Sequence, residues 1–380
     1  MAARCSPGIC LSVIFAAMIA LVAPSQLVVE WRRGDSPQIA ELFRRRPTGA
    51  DLRNLESSLE NACRIGQLVR PWMQWARFVI FEDAGDNAVL GRGGWFFYRP
   101  AVEYLVEPWS PEGEQAQGNV FDAIVSFRDD LAKRGIRLLV MPAPNKASVY
   151  SEMLARRAGG EGGPVNTATR DVLARLRRAG IEILDLFEVY ERAKRTAGSP
   201  AYYLAQDSHW SPEGMELAAE AAAKRLLELG WVEKGSTKYQ TRPAPVQRYG
   251  DVLRMIRAPQ VERLFEPQRM NCTQVVDVET GRLYADDANS PVLVLGDSFL
   301  RIFERDAPGS GGFVAHLARH LGFSVSSVVS DGGASTLVRQ QLARRPALVK
   351  GTRAVVWEFV ERDLRFGTEG WQQVPLPPAD

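Results

Sequence analysis

From about residue 116 onward the sequence alternates short apolar runs with segments whose apolar residues recur every three or four positions. Val120, Ile124, Phe127 and Leu131 mark one face of a helix that ends at Gly135, and the run 136–141 (IRLLVM) follows as a strand. A helix is predicted over 167–179, closed by Gly180, and a strand over 181–186 (IEILDL). Ser211 and Pro212 form an N-cap and first position for a helix through Leu229. A strand over 291–295 (PVLVL), a helix over 312–321, a strand over 323–329, a helix over 335–344 and a strand over 354–359 complete the pattern. Strands this apolar are buried on both faces. The chain is therefore predicted to be α/β, with a parallel sheet flanked by helices. In such a sheet the active site lies at the carboxyl ends of the strands.

The segment ahead of this pattern has another character. Residues 8–23 (GICLSVIFAAMIALVA) carry no charge, and Leu27, Val28 and Val29 extend the apolar run past Pro24. About 20 apolar residues span a bilayer core. Residues 1–31 thus read as a cleaved signal peptide or an uncleaved signal-anchor, with a buried core helix as the competing reading. The expectation adopted is an anchor in the inner membrane, with the rest of the chain in the periplasm. Residues 32–90 read as a helical linker region. There Thr48 and Asp51 make a capping-box-like start, Leu52, Leu55, Leu59 and Ala62 share one face, and Pro71 ends a helix over 48–70. Residues 91–370 form the α/β domain.

Composition closes off other classes. A chain of 380 residues with 46% hydrophobic and 24% charged residues is not disordered. Lys and Arg total 47 against 45 Asp and Glu, a net charge of +2, which gives no footprint for nucleic acid. Four cysteines exclude a disulfide-dense scaffold. Cys63 and Cys272, in the exported part, are either bridged or two buried thiols.

Two motifs sit where the sheet rule puts a site. Gly296-Asp297-Ser298 leaves the strand PVLVL and can present a hydroxyl at the strand end. Asp207-Ser208-His209-Trp210 lies just before the helix capped by Ser211. Side chains two apart on an extended segment project to one side. Asp207 can then hold the His209 imidazole in the tautomer a general base needs. A serine hydroxyl is a poor nucleophile until such a base takes its proton. Of the three histidines, His316 and His320 stand four apart on a helix, but no Glu follows His316 and no third ligand is evident, so no metal is assigned.

These residues carry a resemblance. GDSF at 296–299 is similar to the nucleophile block of the SGNH (GDSL-type) hydrolases, and DSHW at 207–210 resembles the Asp-x-His-Trp signature of the alginate O-acetyltransferase (AlgJ/AlgX-like) group. GGWFFY at 93–98, MPAPNKASVY at 141–150 and VVWEFVERDL at 355–364 fit the same group. So does the order of the blocks, with Asp207 and His209 ahead of Ser298. The resemblance implies an SGNH hydrolase-like fold and an O-acetyltransferase with an acetyl-Ser298 intermediate, His209 as base and Asp207 as its orienter. It further implies a polysaccharide acceptor and a membrane-bound O-acyltransferase partner that supplies acetyl. The chain has no nucleotide-binding signature of its own, and no cofactor is expected. An esterase with the same triad and a non-catalytic carbohydrate-binding subunit of a secretion complex are the alternatives. The Ser298 N–H is the first oxyanion donor. The loop Asp331-Gly332-Gly333 supplies a second donor or is a simple turn. Trp95, Tyr98, Tyr202, Trp210 and Trp357 are candidates for sugar stacking or for the core. Glu358 and Arg362 are expected to form an internal ion pair, and Lys146 falls at a strand end near the site. The chain's end near 380 fits the shorter, anchored form of the group.

Overall fold

The computed structural model describes residues 12, 16, 24, 28, 30–34, 48–53, 64–107, 109, 118–158, 167–367 and 369–377. Nearly all of the apolar run at 8–23 lies outside them, as does Cys63. Among the described residues no helix is long and apolar enough to cross a membrane. The chain divides into two units, Met1–Asp83 with Arg257–Leu264, and Ala84–Ile256 with Phe265–Asp380.

In the first unit, helix α1 (Arg64–Phe81) runs straight through Pro71, which the sequence reading had as a terminator. A proline inside a helix forfeits one backbone hydrogen bond and crowds the preceding turn. Here Pro71 shares its less exposed face with Gln74, Trp75 and Phe78, and Phe78 is buried. Packing of that face outweighs the lost bond. The helix stops instead at Glu82, whose φ of 54° is left-handed and whose N–H donates to the Phe78 carbonyl.

The second unit begins at Ala84, ahead of the boundary expected at 91, because strands β1 (Ala88–Leu90) and β2 (Phe96–Tyr98) pair with each other. Helix α2 (Val120–Ala132) is capped by Asn119, whose side chain accepts from the N–H groups of Phe121 and Asp122. Next come β3 (Arg137–Ala143), α3 (Thr167–Arg178) and β4 (Glu182–Ile183). The predicted strand 181–186 shrinks to two residues. Asp185 turns the chain by accepting from the N–H groups of Phe187 and Glu188, and so starts α4 (Leu186–Lys194). Helix α5 (Pro212–Glu228) begins as the sequence reading has it, with the Ser211 hydroxyl accepting from the Gly214 N–H.

Between α5 and the nucleophile block lie two short antiparallel pairs that the sequence reading did not anticipate. Strand β5 (Tyr239–Pro243) pairs with β8 (Thr273–Asp277), and β6 (Val246–Arg248) with β7 (Gln268–Met270). Cys272 sits here buried, with no disulfide partner among the described residues, its thiol pKa pushed up to about 12 by burial. The rest is β9 (Val292–Gly296), α6 (Ser298–Arg301), α7 (Phe313–Leu321), β10 (Ser326–Val329), α8 (Leu337–Ala343) and β11 (Ala354–Val360).

Five strands form one parallel sheet in the order β10-β9-β11-β3-β4. Alternate residues feed two cores. Leu139, Met141, Val292, Val294 and Val356 join the core that holds residues of α5 and α7. Leu138, Val140, Leu293, Leu295 and Trp357 join the core that holds residues of α2, α3 and α8. β9 and β11 are buried along their whole length, which is why their sequences are apolar throughout apart from Glu358. The loops after β3, β9, β10 and β11 all leave from the same end of the sheet.

Gly214, in the first turn of α5, gives a test of this packing. Replacing an interior helical glycine by alanine normally stabilises a helix by about 1 kcal/mol. A Cβ at Gly214 would lie 2.1 Å from the Tyr202 carbonyl oxygen, which is backbone and cannot swing away. Gly214→Ala is therefore expected to destabilise the unit by about 1–3 kcal/mol. A urea midpoint that stays level or rises would refute the contact.

Candidate active site

β9 delivers the nucleophile block. Gly296 is needed for close approach: a Cβ there would meet Glu358 Oε2 at 2.4 Å. The Asp297 N–H donates to that same oxygen at 3.1 Å, and the Asp297 side chain accepts from the Phe299 N–H at 2.8 Å. These bonds turn the chain sharply and leave the half-buried Ser298 at the head of α6. The Ser298 N–H meets no protein acceptor among the described residues. Glu358 is thus engaged with the Asp297 backbone rather than paired with Arg362, as the sequence reading expected. Burial, then the charge of Asp297, pushes the Glu358 carboxyl well above the ordinary range. Arg362 instead lies over the Tyr98 ring at 5.1 Å.

The base arrives on a loop pinned at both ends. Leu204 N–H donates to the His209 carbonyl at 3.2 Å, and Ser211 N–H to the Tyr202 carbonyl at 3.0 Å. From beneath, the buried Lys146 ammonium donates to the carbonyls of Leu204 (2.9 Å), Ala205 (3.1 Å) and Asp207 (2.6 Å). Lys146 follows β3, so one strand end holds the loop that carries the base.

The three predicted residues come together. His209 Nδ1 lies 2.7 Å from Asp207 Oδ1, and His209 Nε2 lies 2.8 Å from Ser298 Oγ. Asp207 also accepts from the N–H groups of His209 and Asp251, both at 3.1 Å, and Arg248 stands 3.7 Å away. The imidazole packs on the Phe299 ring, with centroids 4.9 Å apart. Such a relay can move a proton from the serine hydroxyl to the imidazole while the carboxylate stays ionised.

Asp251 is the residue that sequence reasoning missed. Its carboxylate accepts from the Ser208 N–H and hydroxyl, both at 2.6 Å, and its Oδ2 lies 3.4 Å from His209 Nδ1. The preceding Gly250 is packed so tightly against Gln206 and Asp207 that a Cβ would meet backbone at 2.2 Å. The ligand atoms of Asp207, His209 and Asp251 lie within 4.8 Å of one another, within reach of a common cation. Each carboxylate already accepts N–H donors from the neighbouring loop, however, and Arg248 and Lys146 bring positive charge, which suits the set to holding a proton. His316 and His320 belong to no cluster of potential ligands among the described residues. Burial, with Arg319 and His320 nearby, pulls the His316 pKa down to about 3.

The secondary site residues are corrected. Trp210 is fully buried, edge-on to Phe299 and stacked on Phe313, so it offers no face to a sugar. Tyr202 is buried against Tyr190, its N–H donating to the Tyr150 hydroxyl. Trp357 belongs to the core, while Trp95 and Tyr98 remain partly exposed. The Gly333 N–H donates to the Ser330 carbonyl at 2.9 Å, which removes it as an oxyanion donor. Gly332 has a φ of 63°, the conformation a tight turn demands.

Electrostatics favour a charged His209. Burial alone would lower its pKa, but the hydrogen bond and charge of Asp207, then Asp251 and Asp297, raise it above the usual imidazole value. Asp207 is driven the other way: burial opposes ionisation, yet the His209 bond and charge, Arg248 and the Asp251 N–H hold it well below the carboxylate range. A raised histidine pKa adds stability below the unfolded-state pKa, and that stability is lost as pH rises through the folded value. An NMR titration of the imidazole is expected to give a midpoint above about 6.5, moving down in Asp207→Asn. A midpoint unchanged in Asp207→Asn would remove Asp207 as the controlling partner. Lys146→Met leaves three carbonyls without their donor and is expected to cost about 2–5 kcal/mol. Thermal melts that coincide with those of the unaltered protein would show the anchor to be dispensable.

Residues 88–361 match the family described as "SGNH hydrolase-like domain, acetyltransferase AlgX". A probable alginate O-acetylase AlgJ of Pseudomonas fluorescens is 26% identical over 310 residues, covering 78% of this chain and 73% of the relative. The solved O-acetyltransferase domain of Pseudomonas putida AlgJ is 25% identical, covers 73% of this chain and 92% of its own, and superposes with a TM-score of 0.58. Pseudomonas aeruginosa AlgX shares the fold, with a TM-score of 0.53 at 20% identity over 72% of this chain and 62% of its own. The expected SGNH-like α/β fold stands, and this chain belongs to the AlgX family of SGNH hydrolase-like acetyltransferases.

Proposed function

We propose that the chain is an O-acetyltransferase acting on an exopolysaccharide, through an acetyl group carried on Ser298. The observation that carries this reading is the unbroken chain of hydrogen bonds from Asp207 through His209 to Ser298, at 2.7 and 2.8 Å. In the first half-reaction Ser298 Oγ attacks the acetyl carbonyl of the donor while its proton passes to His209 Nε2. The Ser298 N–H faces the developing oxyanion. Collapse breaks the bond between the acetyl group and the donor's leaving group, which departs with the proton from His209. In the second half-reaction a sugar hydroxyl gives its proton to His209 and attacks acetyl-Ser298, forming the sugar ester and restoring the serine. Asp207 holds the imidazole and stabilises its charged form throughout.

Relatives of this chain are named alginate O-acetylases. Alginate or a similar exopolysaccharide is accordingly the acceptor we propose. The proposed donor is a membrane-bound O-acyltransferase, and the place of action is the periplasmic face of the inner membrane, reached through the N-terminal segment.

Ser298→Ala is expected to lose roughly 10³-fold or more of both hydrolysis of a small acetyl ester and transfer to oligosaccharide. Near-normal turnover would end the mechanism. In the active protein, rate is expected to fall as pH drops through the raised His209 value, because only neutral imidazole accepts the serine proton. Mass spectrometry of oligosaccharides incubated with donor and protein separates transfer from hydrolysis. Acetyl lost from acetylated oligosaccharides, with none gained from the donor, would make the protein an esterase.

A further inference from the structure

Exposed apolar surface among the described residues is concentrated ahead of the α/β unit. Trp31, Leu68, Trp72, Met73, Ile80 and Phe81 each leave more than half of their surface open, with Phe81 at 74% and Trp72 at 58%. Helix α1 carries most of them. At about 100° per residue, Leu68, Val69, Trp72, Met73, Val79 and Ile80 fall within one arc of roughly 140°. The face bearing Pro71, Gln74, Trp75 and Phe78 is the more covered one, so the exposed arc is surplus to the helix's own packing. A helix of a soluble protein ordinarily turns such an arc toward its core.

Charge narrows the choice of occupant. The sequence of α1 (RIGQLVRPWMQWARFVIF) contains three arginines and no acidic residue. On the same helical wheel Arg70 and Arg77 border the apolar arc, and Arg77 is shared with Asp83 at 2.5 Å. Two copies packed arc to arc would bring like charges together. A bilayer with anionic headgroups takes both features at once. Apolar side chains enter the acyl boundary, tryptophan sits at headgroup depth, and arginine meets lipid phosphate. We propose that α1 lies in the plane of an anionic membrane surface, with its Leu68–Ile80 arc inserted and its arginines among the headgroups. This contact is separate from any span formed by residues 1–31 and does not depend on the acetyl-transfer reading.

The test uses the full chain reconstituted into phosphatidylcholine vesicles, with or without phosphatidylglycerol. The vesicles carry a phospholipid bearing a photoactivatable diazirine close to its headgroup. After illumination, digestion and mass spectrometry locate the lipid adducts. Adducts are expected on the peptide covering 64–81, increasing about fivefold when phosphatidylglycerol is included, the effect of one arginine at an anionic surface. Trp72→Asp combined with Ile80→Asp should cut those adducts about tenfold or more, leaving adducts on residues 1–31 and hydrolysis of a small acetyl ester unchanged. Both side chains are exposed, so the fold is expected to survive, and circular dichroism checks this. Adducts confined to residues 1–31, adducts on 64–81 indifferent to phosphatidylglycerol, or cross-links joining α1 of two copies in place of lipid would each overturn the proposal.

Discussion

One buried ammonium organises the site. A lysine carries three N–H donors and no acceptor, and Lys146 places all three on carbonyls of the loop that ends in His209. Those carbonyls face inward, where water cannot serve them, so without the lysine the loop would bury unpaired acceptors. Burial pulls the lysine pKa down to about 7, and the charges of Asp207 and Asp251 oppose that fall. The same two carboxylates therefore favour positive charge on both Lys146 and His209. Because Lys146 follows β3 directly, the position of the imidazole is inherited from the sheet and not left to a free loop.

The carboxylates near the reacting atoms do different work according to their surroundings. Asp207 is wrapped in N–H donors and stays ionised. Asp251 is held by Ser208, but burial and the neighbouring charge of Asp207 raise its pKa. Glu358 lies beneath the turn at Gly296, where burial pushes its pKa well above the ordinary range, and it serves as an acceptor for the Asp297 backbone. A further ionised carboxylate at that depth would favour positive charge on His209 still more and make it a weaker acceptor of the serine proton.

Much of this was legible in the sequence because it rests on local rules. Apolar strands between amphipathic helices dictate a parallel sheet, and Gly-Asp-Ser and Asp-Ser-His fall at its working edge. Asp251 was not legible, since it lies 44 positions from Asp207, at the start of a four-residue helix (Asp251–Arg254) too short to show a periodicity. Trp210 and Tyr202 were read as sugar platforms because they neighbour the motif. Adjacency in sequence says nothing about burial, and α7 brings Phe313 over the Trp210 ring. Pro71 misled in the opposite way: a local breaker was overruled by a face that packs around Phe78. The pairing of Cys63 and the apolar run at 8–23 belong to parts of the chain outside the described residues.

The strand order has a consequence for how the molecule is made. β11 is the last strand along the chain, yet it lies between β9 and β3 in the sheet. Until it arrives, the β3-β4 edge with its lysine and the β9-β10 edge with its serine have no common neighbour. Within the sheet the two halves of the site thus wait as separate parallel pairs, each with its helical crossover, for a segment that follows both in the chain. Contacts of such long sequence separation form slowly, and the unpaired edges of β3 and β9 are open to wrong partners meanwhile. A nascent chain stalled before residue 354 would hold every member of the triad while the sheet beneath them was still in two pieces.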